Sequence, residues 1–259
     1  MKCIILAAGA STRMRPLTDD LPKCLLSVGG KTILQRTIEL VSAAGVEQIG
    51  IVLGFEAERI RKFVKGRFPF HRMRFVVNPK YASTNNAFSL LMAREFFMSE
   101  EKRNAPLQEL LLLDSDIVFS PELLPFLIGH ESPDRIAVRV EGDHDDEEIG
   151  VKVDRNTNIV KIGKAIPAGE RFGESIGIEL FSPPGARVLF ETVERRVREG
   201  SGRTEFYEDS FQEMIDSGAR IRAVDVSRFP AVEIDTREDL EVAENIIIPQ
   251  IELAGSPGR

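Results

Sequence analysis

Tryptophan is absent from these 259 residues, which hold two tyrosines, two cysteines and three histidines. Two isolated thiols, Cys3 in an apolar run and Cys24 in a basic loop, make neither a disulfide framework nor a zinc site. Long apolar runs are missing as well. Residues 110–113 and 246–248 fall far short of the ~18 needed to span a bilayer, so no membrane partner is expected. The opening Met-Lys-Cys-Ile-Ile passes directly into a strand pattern with no secretory leader, which reads as cytoplasmic. Cations are in the minority, 34 against 41 carboxylates for a net charge of −7, and this argues against a nucleic-acid partner. Two nucleotide motifs are also lacking. Gly-x-Gly-x-x-Gly is absent, which disfavours a nicotinamide-dependent oxidoreductase. Gly30-Lys31-Thr32 resembles a P-loop tail, but Leu25 stands where its leading glycine belongs. No repeat or low-complexity segment is present.

What remains is a chain with 42% hydrophobic residues, long enough for one large α/β domain over residues 1–250 with a tail at 251–259. Its basic residues are unevenly spread. Residues 1–36 carry Lys2, Arg13, Arg15, Lys23, Lys31 and Arg36 against Asp19 and Asp20 alone, which suits a small anionic ligand. Within that stretch, the apolar run Cys3-Ile-Ile-Leu-Ala reads as a buried parallel strand. It opens into Ala8-Gly9-Ala10-Ser11-Thr12, whose small side chains let backbone N–H groups approach a phosphate. Pro16 and Pro22 keep residues 13–23 from becoming one helix, so Arg13, Arg15 and Lys23 sit on a shaped loop. Such a loop fits a polyphosphate.

Further along, apolar spacing gives a helix over residues 32–44 that stops at Gly45, a strand at 48–53, a helix at 56–65 and a strand at 74–78. Strands alternating with helices predict a doubly wound, mostly parallel sheet with ligands beyond the strands' carboxyl ends. The polar loop 78–86 leads into a helix at 87–97. One of Ser83 to Asn86 should cap that helix, leaving amides to read a base or a second substrate. Residues 110–114 form a buried strand ending in two carboxylates, Asp114 and Asp116. The acidic run 141–148, with a lone histidine, reads as a solvated surface loop rather than a metal site. A hairpin is expected around residues 154–158. Tyr207, Phe211 and Met214 share one helical face, consistent with core packing, and Glu208 and Asp209 suit that helix's N-terminus. Asp235 followed by Thr236-Arg-Glu-Asp is a good capping sequence for the closing helix, expected over 236–248.

The segment Leu6-Ala-Ala-Gly-Ala-Ser-Thr-Arg-Met-Arg-Pro-Leu-Thr, followed by Pro22-Lys23-Cys-Leu25, resembles the signature of the nucleotidyltransferases that activate sugar phosphates and related small phosphomonoesters. Ser11 stands where that signature often has glycine. The resemblance implies a Rossmann-like mixed sheet with a small acceptor-side β subregion, a nucleotide-binding half over 1–115 and an acceptor-binding half over 116–250. It implies transfer of a nucleoside monophosphate from an NTP to an acceptor phosphate, with Mg²⁺ and release of pyrophosphate. Catalysis would fall to Arg13 and Lys23. Leu6, Ala7, Ala8, Gly9, Ser11, Thr12 and Asn85, with the same two cations, would bind the nucleotide. Asp116 and Asp235, the latter in a Glu-Ile-Asp-Thr-x-Glu-Asp-Leu signature, would hold the metal. Asn86, Phe88, Lys164, Tyr207 and Glu208 would bind the acceptor. Thr84-Asn-Asn-Ala-Phe-Ser-Leu90 is most similar to the phosphocholine cytidylyltransferase branch, which makes CTP the first choice of nucleotide and phosphocholine the model acceptor. Sugar-1-phosphate transfer with UTP, GTP or dTTP and a non-catalytic nucleotide-binding relative stay as alternatives, and homo-oligomerisation is left open.

Overall fold

A computed structural model describes residues 1–69, 73–99, 105–140 and 148–254. Most of the acidic run 141–148 and the terminal residues 255–259 lie outside them. The chain opens with β1 (Lys2–Ala7) and a short hairpin of β2 (Ser27–Val28) and β3 (Lys31–Thr32). Next come α1 (Ile33–Ala43), β4 (Gln48–Leu53), α2 (Ala57–Arg67), β5 (Met73–Val77), α3 (Asn86–Met92) and α4 (Arg94–Phe97). β6 (Leu110–Asp114), β7 (Ile117–Phe119), α5 (Leu123–Ile128), β8 (Arg135–Arg139), β9 (Gly150–Val153) and β10 (Ile159–Gly163) follow. The remainder is β11 (Gly173–Phe181), α6 (Pro183–Glu199), α7 (Glu208–Asp216), β12 (Arg222–Asp225), β13 (Ala231–Glu233) and α8 (Arg237–Val242), with a π-helical turn at Ala243–Ile247 and α9 (Ile248–Ala254). α9 therefore carries the closing helix four residues into the stretch read as tail. No helix among the described residues is long and apolar enough to cross a membrane.

The helix boundaries follow local chemistry. Thr32 caps α1 by accepting from the Gln35 N–H at 3.1 Å, and Gly45, at φ +83°, supplies the left-handed residue that ends it. α6 starts with Ser182 accepting from the Gly185 N–H and with prolines in its first turn, where no N–H partner is lost.

The main sheet is mixed. β5, β4, β1 and β6 are mutually parallel in that spatial order, and β11 joins β6 antiparallel. β11 also pairs with β8 and β9, the strands of the second half, and β9 with β10 closes the expected hairpin around Asp154. Apolar residues cover both faces, as burial of a parallel sheet requires. Ile4, Leu90, Leu112, Phe181, Phe190 and Phe211 pack under α3, α6 and α7, and Cys3, Ile5, Leu34, Ile60, Leu113 and Leu124 pack under α1, α2 and α5. Two strand pairings place the site. Leu6 of β1 lies in parallel register with Asp114 of β6, so the loops leaving both strands emerge side by side. β13 then pairs antiparallel with β7, and the Ile234 N–H donates to the Asp116 carbonyl at 3.0 Å. This sets Asp235 beside Asp116.

Candidate active site

The loop after β1 is anchored from below. Met14 is fully buried against Ile234, Val118, Leu26 and Ile33, while Ser11 adopts a left-handed conformation and its carbonyl accepts from the Thr18 hydroxyl at 2.7 Å. Gly9 faces open space, so its backbone is bare towards the cleft. After Pro22, a single 3₁₀ turn buries Cys24 and Leu25 and leaves Lys23 pointing inwards with 10% of its side chain exposed. Burial pushes the Cys24 thiol up to about 12, so it is no nucleophile.

Lys23 joins both carboxylates. Its Nζ lies 2.6 Å from Asp116 Oδ2 and 2.6 Å from Asp235 Oδ1, and Arg13 Nη2 lies 2.7 Å from Asp235 Oδ2. Burial acts to lower the Lys23 ammonium, but the two carboxylates outweigh it and hold the group above its usual range. Asp235 shows the reverse balance, with burial raising its carboxyl and Lys23, then Arg13, drawing it below the ordinary value. Asp116, Glu233 and Asp235 bring carboxylate oxygens within 4.8 Å of one another, and Asp116 Oδ1 is buried without a hydrogen-bond partner. A hard, all-oxygen donor set with one orphaned buried oxygen fits a divalent cation of the Mg²⁺ type. Glu233 escaped the sequence reading, although a strand's two-residue period places it on the same face as Asp235. Glu233 is exposed to solvent as a residue, but crowding of its carboxyl at the cleft, then like charge from Asp116, Asp235 and Asp114, raises that group above the ordinary carboxylate range.

The cleft, of about 280 Å³, is lined by Leu6, Ala7, Ala8, Gly9, Ser11, Arg13 and Lys23 from the first loop and by Asn85, Asn86, Asp114, Asp116, Glu233 and Asp235. Tyr81, Thr84, Ser89 and Ser115 line it too, with no site role assigned to them from sequence. Asn85 is the cap, accepting from the Asn86 N–H at 2.8 Å, and Asn86 Oδ1 accepts from the Tyr207 N–H at 2.9 Å. Thr12 lies outside the lining, exposed in its 3₁₀ turn. Phe88 is 9% exposed and belongs to the core beneath α3, so its position gives it no direct ligand contact.

Tyr207 is fully buried rather than cleft-facing, and reaches the cleft through Asp114. Its hydroxyl donates to Asp114 Oδ2 at 2.9 Å and lies 3.4 Å from Glu179 Oε1. Glu179 and Glu208 are both buried, each with an Oε2 lacking a hydrogen-bond partner. Burial, then like charge from Asp114 and Glu208, holds Glu179 well above its normal value, and burial pushes Glu208 up to about 8. Asp114 is raised by burial and by Asp116 and Glu208. Lys164 stands with its Nζ 4.9 Å above the Phe206 ring and draws the Glu208 carboxyl down slightly from that height. Glu179 gave no sequence signal, since its partners come from β6 and α7.

A parallel half-sheet whose first loop and strand-end carboxylates converge on one cation-rich cleft defines a nucleotide-handling transferase of the α/β class. The model of the MobA-like NTP transferase domain matches residues 3–194, and the chain belongs to that family of nucleotidyltransferases. It is 29% identical to the CTP:phosphoglutamine cytidylyltransferase of Campylobacter jejuni over 93% of this chain and 98% of that protein. It is 32% identical to the CMP-5'-(3-aminopropyl)phosphonate synthase of Streptomyces rubellomurinus over 53% of this chain, and that match spans 20% of the relative's length. The CTP:phosphocholine cytidylyltransferase of Streptococcus pneumoniae shares the fold, with a TM-score of 0.74 and 22% identity over 95% of this chain and 98% of that one.

Proposed function

We propose that this chain is a cytoplasmic cytidylyltransferase that transfers CMP from CTP to a small phosphomonoester or phosphonate bearing a cationic nitrogen, phosphocholine being the model, and releases pyrophosphate. The observation that carries the reading is the junction of Arg13 and Lys23 with Asp116 and Asp235 at the mouth of a loop with bare backbone N–H groups. Residues 1–115 would supply the nucleotide-binding half and 116–250 the acceptor-binding half.

Two anionic phosphates repel, so the protein's main task is neutralisation and alignment. The acceptor is its own nucleophile, because a phosphomonoester's second pKa of ~6 leaves it ionised at neutral pH. One acceptor oxygen forms a bond to the α-phosphorus of CTP while the bond from that phosphorus to the β-phosphate oxygen breaks. The electron pair leaves on pyrophosphate, so no protein base is needed. Lys23 and Arg13 offset the charge that develops on the triphosphate tail, and the backbone at Gly9 and Ser11 orients it. Asp116, Asp235 and Glu233 would hold Mg²⁺, which when bound supplies Lewis-acid neutralisation of phosphate oxygens. On the acceptor side, Asp114 lines the cleft with Glu179 and Glu208 buried behind it, and a cationic group on the acceptor would favour the ionised form of Asp114 where a neutral sugar would not.

The test is a matrix of the four NTPs against phosphocholine, 2-aminoethylphosphonate, glycerol phosphate and glucose-1-phosphate with Mg²⁺, scored for pyrophosphate. Turnover confined to CTP with the nitrogen-bearing acceptors supports the reading. Turnover of UTP or dTTP with the hexose phosphate in its place overturns it.

A further inference from the structure

We propose that the groove between the turn carrying Lys23 and helix α2 is a second, regulatory site for a small organic anion that joins an apolar ring to a negatively charged group. The groove is open to solvent and offers about 630 Å³, within the ~300–1,000 Å³ range of small-molecule sites. Leu21, Leu25 and Phe63 supply apolar surface, and Arg59, Lys62 and Arg67 bring three cations to it. Residues 59, 62, 63, 66 and 67 recur at helical spacing, so the cations and Phe63 stand on one side of α2. No carboxylate is among its described lining residues, although the chain carries a net charge of −7. Gly66 keeps that wall open, since a Cβ there would meet nothing within 4 Å. Three cations around an apolar surface complement an anion with a flat ring, the cations taking its charge and Phe63 its face.

The groove is mechanically joined to the cleft. Leu21 and Leu25 bracket Pro22 and Lys23, so whatever presses on them presses on the turn that aims the Lys23 ammonium. Arg59 Nη1 donates to the Asp20 carbonyl at the head of the same turn. An anion drawing on Arg59 competes with that bond. Occupancy of the groove is therefore read out in the position of Lys23, and the ligand acts as an effector rather than a substrate.

Anilinonaphthalene sulfonate, a fluorescent aromatic sulfonate, is the probe, titrated into the full chain with and without saturating CTP. Lys62→Glu with Arg67→Glu should weaken dye binding by about tenfold or more. A second variant, Gly66→Met, fills the groove while keeping the charges, and should weaken it likewise. Saturating CTP should shift dye affinity about threefold or more, the same factor by which the dye shifts CTP, and still leave the dye able to bind, as linkage between separate sites requires. These binding arms need no turnover and are independent of the function proposed above. The effector role rests on that function: the dye should change the KM for CTP at least threefold in the parent chain, and not in either variant. Dye affinity unchanged in both variants, or complete competitive displacement by CTP that does not level off as CTP is raised, overturns the site. Groove-dependent binding that leaves the rate untouched overturns the regulatory role.

Discussion

Lys23 and Asp116 meet at 2.6 Å where the turn after Pro22 crosses the end of β6. The same ammonium reaches Asp235 at the end of β13, so one side chain ties together two strand ends and the first loop. Two carboxylates share one cation there, and a divalent ion would draw on the same oxygens. Lys23→Ala should lower kcat by on the order of 10²-fold, the typical loss for one preorganised charge-stabilising donor. Arg13→Ala should act in the same direction. Lys23→Ala should also tighten Mn²⁺ binding to the nucleotide-free protein, because the competing charge is gone. Calorimetric titration of Mn²⁺ against parent and variant checks the sign, and equal affinity with full activity would show that Lys23 is only a structural tie.

Removal of the divalent ion tests the acidic cluster. Treatment with a chelator should abolish pyrophosphate release, and Mg²⁺ should restore it. Asp116→Asn and Asp235→Asn should resist that rescue, since each loses a charged oxygen ligand. Glu233→Gln is a finer probe. It keeps two aspartates and should raise the Mg²⁺ concentration for half-maximal rate by about tenfold or more, with kcat approached at high metal. An unchanged metal requirement in Glu233→Gln would remove it from the ligand set.

The opening loop was legible because its parts are contiguous: small residues, prolines and fixed cations lie within one stretch between Leu6 and Lys23. The parallel half of the sheet was legible for a similar reason, since apolar strands alternate with amphipathic helices there. The meeting of Asp116 with Asp235 rests on the β7–β13 pairing, a long-range contact that periodicity does not encode, and the family signature supplied it instead. β11 escaped in its most consequential role. Its pairing with β6, β8 and β9 carries Glu179 under the cleft, and a lone glutamate in a strand pattern gives no hint of that. Phe88 is an aromatic inside a suggestive motif, and it packs in the core beneath α3.

Stability should fall as pH rises through neutrality, and Glu208 is one cause. Its carboxyl, pushed up to about 8 by burial, binds a proton in the folded state over a range where the unfolded group, near its usual value of 4.5, has lost it. The folded state therefore holds more protons between about pH 4.5 and 8. The stabilisation is complete below the lower value and is lost as pH climbs through the upper one, at up to about 1.4 kcal/mol per unit per group. Glu208→Gln, which keeps the shape without the titration, should flatten the decline in Tm between pH 5 and pH 8. A decline identical to the parent's would mean that Glu208 ionises freely in the fold.

Tyr207 links the buried interior at the start of α7 to the cleft, and the direction of its hydrogen bond fixes what its loss should do. Its hydroxyl donates to Asp114 Oδ2, and Glu179 lies on the other side of the same oxygen at 3.4 Å. Glu179 Oε1 is a second acceptor for the same hydroxyl and also accepts from the Ser175 hydroxyl at 3.5 Å, so Tyr207 stands between two carboxyls. Asp114, which lines the cleft, is thus held from the core side by the Tyr207 hydroxyl. Tyr207→Phe removes the middle link and leaves the ring packing against Phe211 in place. Loss of the bond should cost about 1 kcal/mol in stability. With the first loop binding the nucleotide as proposed above, the KM for a nitrogen-bearing acceptor should rise several-fold with that for CTP nearly unchanged. Glu179→Gln, which keeps an acceptor oxygen within reach of the Tyr207 hydroxyl, should retain the parent's acceptor KM. If both KM values moved together in Tyr207→Phe, the network would be serving the fold of the whole cleft rather than its acceptor side.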